Sequence, residues 1–127
     1  MTDLYKNKVL VVEDDKDWIE NWRNGINKEK ISLTFAPTVQ EAEKILLNDV
    51  SFDAIVMDAL LIDKETKKET MTFSLVEKIR SSIFNYKGPI IALSSSDTYR
   101  KELVKVGCNY QAPKIDFFQK LSEVLGF

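Results

Sequence analysis

The chain of 127 residues contains no histidine and one cysteine. The missing imidazole excludes, within this chain, every histidine-dependent triad, histidine–zinc site or phosphohistidine relay. Any chemistry must come from carboxylates, Lys, Ser/Thr or the backbone. A lone Cys108 cannot form an internal disulfide, fits a reducing compartment and packs as a small apolar side chain. No apolar stretch approaches the length of a membrane span, and the N-terminus lacks a signal-peptide pattern. A net charge of −2 gives no argument for nucleic acid or an anionic membrane surface. No repeat, low-complexity tract or linker divides the chain, so residues 1–127 read as a single domain.

What is present begins with Val9-Leu10-Val11-Val12 running into Glu13-Asp14-Asp15. An unalternating, β-branched run suits a strand buried on both faces of a parallel sheet. Its C-terminal end then carries acids to the rim where open α/β sheets bind ligands. Such acids repel one another unless something cationic lies between them. One of Asp14 and Asp15 is expected simply to cap the next helix.

Downstream, residues 15–27 place Trp18, Ile19, Trp22 and Ile26 at helical spacing. Residues 31–36 alternate as a second strand, and Thr38 with Glu41 forms a capping box opening a helix over 39–47. Residues 52–57 form a second buried strand ending at Asp58. Residues 59–70 read as a loop, first apolar and then densely charged. The stretch 64–69 reads as solvated surface, with the alternative that it shapes partner choice or covers the site. A helix follows to about Ser82, then a fourth strand over 90–93 closing on Ser94-Ser95-Ser96. Ser96 or Asp97 caps a helix stopped by Gly107; a short strand over 109–112, Pro113-Lys114 and a last helix over 116–125 complete the chain. Five β-α units in series predict a parallel five-stranded sheet, doubly wound, with helices on both faces.

Residues just past the ends of parallel strands share one rim. Here they are Glu13, Asp14, Asp15, Asp58, Ser94 and Lys114. With strand order 2-1-3-4-5 the first and third strands flank the switch point, and their acids meet. Hard oxygen ligands of this kind suit Mg²⁺. Lys114 and Ser94, a cation and a hydroxyl, suit the oxygens of a phosphoryl group.

On Val11-Val12-Glu13-Asp14, on the strand ending in Asp58, on Ser94-Ser95 and on Lys114 after Gly107-Cys108-Asn109, the whole chain resembles a response-regulator receiver domain of two-component signalling. The resemblance implies the flavodoxin-like, CheY-like (βα)5 fold. It implies Asp58 as phosphoacceptor and Mg²⁺ held by Asp14, Asp58 and the Leu60 backbone carbonyl, with Glu13 acting through water. Lys114 would pair with one phosphoryl oxygen, while Ser94 moves to bond another. The donor would be a sensor histidine kinase or phosphotransfer protein, which accords with the absent histidine. The chain would be a cytoplasmic signalling module rather than a turnover enzyme, catalysing only its own phosphorylation and dephosphorylation. An unidentified target or output domain would read the switch, with a homodimer expected through the fourth-helix, fifth-strand and fifth-helix face.

Three departures stand beside the resemblance. After Asp58 the usual Met-Pro and Asp-Gly pairs are missing and the segment is longer. The lysine lies between Pro113 and Ile115 rather than before a proline. Gln111 occupies the position of the family's aromatic switch residue, and Tyr110 is one place off, pointing to the opposite face. The altered segment after Asp58 and Gln111 support a runner-up reading, a pseudo-receiver that binds or dimerises without phosphorylation. A phosphatase with an aspartyl nucleophile is disfavoured, because Leu60 stands where its second acid would be.

Overall fold

The computed structural model describes residues 6–127. Strands β1 (Asn7–Val12), β2 (Ile31–Ala36) and β3 (Ala54–Met57) are followed by two short strands, β4 (Leu60–Ile62) and β5 (Glu69–Met71). Then come β6 (Ile90–Leu93) and β7 (Tyr110–Ala112). Helices α1 (Lys16–Gly25), α2 (Val39–Asn48), α3 (Phe73–Arg80), α4 (Asp97–Val106) and α5 (Phe117–Leu125) are interleaved with them, and one turn of 3-10 helix spans Lys114–Asp116.

The main sheet has the order β2-β1-β3-β6-β7 with every pairing parallel. Counting only those five strands, this is the predicted 2-1-3-4-5. The apolar run of β1 divides by parity between two cores. Val9 and Val11 face Trp22, Phe117 and Leu121 of α1 and α5. Leu10 and Val12 face Ala42 and Leu46 of α2, the α3 side chains and Leu103 of α4. A strand serving two cores has no room for a polar residue on either face, which is why β1, β3 and β6 carry no alternation.

The α1/α5 layer is held by aromatic stacking. Trp22, 1% exposed, lies 4.4 Å from Phe117 at an interplanar angle of 10° and 5.4 Å from Trp18. Offset stacking of large rings in a dry layer adds to the area they bury. On the other face α4 ends at Gly107 with φ +138°, a conformation suited to glycine.

One expectation is corrected: residues 59–70 are not an irregular loop, because their ends pair as an antiparallel hairpin, β4 with β5. Asp63 builds its turn, its Oδ1 accepting the N–H groups of Glu65 and Thr66 at 2.9 Å each, while Lys67 takes φ 62°. The polar tip conceals the hairpin in sequence because side chain–backbone bonds, not an Asn-Gly dipeptide, make the turn. β3 also begins at Ala54, two residues later than the apolar run implies. Among the described residues no helix is long and apolar enough to cross a membrane.

Candidate functional site

The C-terminal rim of the sheet is built by strand ends. Asp58 N–H donates to the Val12 carbonyl at 3.0 Å, continuing the β1–β3 ladder one step beyond the strands and fixing Asp58 beside Glu13. Asp15 caps α1, its Oδ1 accepting the Asp17 N–H at 2.9 Å, so it is the structural member of the acidic trio. Glu13, Asp14 and Asp58 each offer a carboxylate oxygen, and these three atoms lie within 4.8 Å of one another.

Lys114 enters this cluster from the start of the 3-10 turn. Its Nζ lies 2.9 Å from Glu13 Oε1 and 3.2 Å from Asp58 Oδ2. Glu13 is 1% exposed and Asp58 5%, so two acids are withdrawn from water around one ammonium. Burial, then the charge of Asp58, pushes the Glu13 carboxyl up to about 8 against the pull of Lys114. Burial likewise raises Asp58 above the usual carboxylate range, with Lys114 opposing. Burial would lower the Lys114 ammonium, but Asp58 and then Glu13 outweigh it and raise the net value. Two carboxyl groups thus share one ammonium, and the Glu13 carboxyl holds its proton up to about pH 8. A divalent cation fits the hard oxygen donors gathered here.

The hairpin closes one side. Thr72 N–H bonds the Ala59 carbonyl at 2.9 Å and Asp63 N–H bonds the Lys68 carbonyl at 2.9 Å. Antiparallel alternation then leaves Leu60 and Ile62 at non-hydrogen-bonded positions, with their N–H and C=O groups turned away from β5. Ile62 N–H donates outward to Asp14 Oδ2 at 3.0 Å. The Leu60 carbonyl lies on that same edge, free of the hairpin ladder.

Ser94, 5% exposed, accepts the Ser96 N–H on its Oγ at 3.1 Å, while the Arg100 Nη1 donates to its carbonyl at 2.6 Å. Glu13, Asp14, Asp58, Leu60, Ser94 and Lys114 all line one open cleft of about 680 Å³. Every residue nominated from sequence thus reaches the same place. Sequence reasoning missed three contributors: the Ile62 N–H, Arg100 and Thr72. Thr72 occupies the N-cap position of α3, yet no side-chain cap bond forms there. Gln111 and Tyr110 are both exposed on β7; Tyr110 shares parity with Ala112, which packs toward α1 and α5, so Gln111 lies on the α4 side.

No family model matches the chain, and no curated protein matches it. Solved structures do. A two-component response regulator from Clostridium difficile matches with 20% identity and a TM-score of 0.75, over 94% of this chain and 96% of that one. The receiver domain of a sensor histidine kinase from Pseudomonas aeruginosa, described with magnesium coordinated in its active-site cleft, matches with 19% identity and a TM-score of 0.75, over 97% of this chain and 100% of that one. A beryllofluoride-activated N-terminal receiver domain from Klebsiella pneumoniae matches with 21% identity and a TM-score of 0.70, over 95% and 100%. At these identities the likeness is one of architecture: the chain has the CheY-like fold of response-regulator receiver domains.

Proposed function

We propose that residues 1–127 form a single phosphorylatable receiver, accepting a phosphoryl group on Asp58 from a histidine kinase or phosphotransfer protein. The observation that carries this reading is the meeting of Asp58 with Glu13, Asp14 and Lys114 within one cleft. An Asp58 oxygen attacks the phosphorus of a partner's phosphohistidine; the P–N bond breaks and its electron pair stays with the imidazole. Lys114 receives one phosphoryl oxygen as a charge-assisted partner, and the Ser94 hydroxyl bonds another. Asp14, Asp58 and the Leu60 carbonyl would hold Mg²⁺, with Glu13 acting through water. Bound there, the ion supplies neutralisation of phosphoryl and carboxylate charge. New bonds at Ser94 and Lys114 bias the β6–α4 and β7 surfaces toward a second state, which a partner or a second copy reads through α4, β7 and α5. The chain is then a cytoplasmic signalling module that catalyses only its own modification.

Labelling by a small acyl phosphate with Mg²⁺, or binding of beryllofluoride, tests the reading. Wild type is expected to respond and Asp58→Asn to be silent while still folded; labelling retained in the variant refutes Asp58 as acceptor. Exposed Gln111 on the α4 side favours the alternative of a phosphorylation-independent binding module. A folded wild type that neither labels nor binds beryllofluoride selects that alternative.

A further inference from the structure

Thr72 is the point where the hairpin returns to the site and α3 begins. It is fully buried, and its side chain does not cap α3. The hydroxyl instead donates to the Asp58 carbonyl at 2.6 Å and lies 3.3 Å from the Ala59 carbonyl. Its N–H donates to the Ala59 carbonyl at 2.9 Å. A buried Thr at a helix start that forgoes its cap bond leaves that helix end less well satisfied, and its hydroxyl is committed to the Asp58 carbonyl instead.

That bond acts on the acceptor residue. Asp58 is held at three other places: its N–H on Val12 O at 3.0 Å, its Oδ1 under the Ala59 N–H at 2.8 Å, and its Oδ2 near Lys114. Thr72 fixes the fourth, the carbonyl. With the peptide between Asp58 and Ala59 clamped from both sides, the Ala59 N–H stays aimed at Oδ1 and the Asp58 side chain keeps one rotamer, with Oδ2 presented to the cleft. The same clamp sets the start of β4 and hence the direction of the Leu60 carbonyl. We infer that Thr72 is a positioning residue for phosphoryl transfer, holding the Asp58 peptide so that one carboxylate oxygen faces the incoming group. This inference rests on the receiver reading above.

The test is beryllofluoride binding with Mg²⁺, measured at a temperature where each variant is folded. Thr72→Val keeps the shape and removes the donor; Thr72→Ser keeps the donor. Valine is expected to weaken beryllofluoride binding roughly tenfold or more, as loss of a group that orients a ligand does, with serine restoring it to about wild type. If the valine variant does not fold, Thr72→Cys, whose thiol donates weakly, takes its place with the same expected loss. A merely structural role would lower stability in the variants without separating valine from serine in affinity. Equal affinity of folded valine (or cysteine) variant and wild type overturns the inference. No binding by wild type overturns instead the receiver reading, so the two failures are distinguishable.

Discussion

Asp14 Oδ2 accepts the backbone N–H of Ile62 at 3.0 Å, joining the end of β1 to the edge of a hairpin 48 residues further on. The same carboxylate belongs to the acidic cluster, so one side chain serves both the candidate metal site and the hairpin.

Two substitutions separate these duties. Asn at position 14 can still accept the Ile62 N–H, while Ala cannot. Asp14→Ala is expected to accelerate hydrogen exchange at the Ile62 amide, and Asp14→Asn to leave it near wild type. Both should lose stabilisation by Mg²⁺. The bond is exposed, so its loss should cost no more than about 1 kcal/mol in denaturant unfolding. An Ile62 amide equally protected in the Ala variant would show that the hairpin is held by other contacts.

A pH dependence follows from burial at Glu13, whose carboxyl is raised from 4.5 to about 8. Below the lower value folded and unfolded chains both hold the proton. Between the two values the unfolded chain has released it and the folded chain has not, so stability of the metal-free protein falls as pH rises. Above about 8 the loss is complete. Thermal midpoints in chelator should therefore decline across this window, and Glu13→Gln should flatten the decline and raise the midpoint at its alkaline end. Mg²⁺ at a hundred times its Kd should add about 2.7 kcal/mol to the wild type. An unchanged slope in Glu13→Gln would assign the effect to other groups.

Trp22 stacks between Trp18 and Phe117 and is almost wholly buried. Trp22→Ala is expected to cost about 3–5 kcal/mol by chemical denaturation, since a layer closed by α1 and α5 cannot collapse around so large a void. Trp22→Phe should cost far less.

Gly107→Ala tests the other layer. A Cβ there would sit 2.9 Å from Arg80 Cγ, at φ +138°. Arg80 cannot step aside freely, because its guanidinium group bonds the carbonyls of Gly107, Tyr86 and Gly88 at 3.0, 3.0 and 2.7 Å. A loss of about 1–3 kcal/mol in denaturant unfolding is expected, combining backbone strain with the displaced side chain.

How far the sequence reaches is clear from particular residues. Val9 to Val12 and Ile90 to Leu93 announce buried strands because nothing polar fits between two cores, and the β-α alternation leaves a parallel sheet as its outcome. Glu13, Asp14, Asp58, Ser94 and Lys114 were legible as one group because parallel strands send their C-terminal ends to a common rim. Position along the chain then stands in for position in space.

Tertiary structure alone decided the rest. Whether Asp14 or Asp15 serves as helix cap depends on how the backbone turns after β1, which neighbouring residues do not dictate. The hairpin after Asp58 is held by an Asp63 turn, the Asp14–Ile62 bond and Thr72, contacts too distant or too small to leave a periodic trace. The proton balance of Glu13, Asp58 and Lys114 is a property of burial, and burial exists only once the strands are side by side.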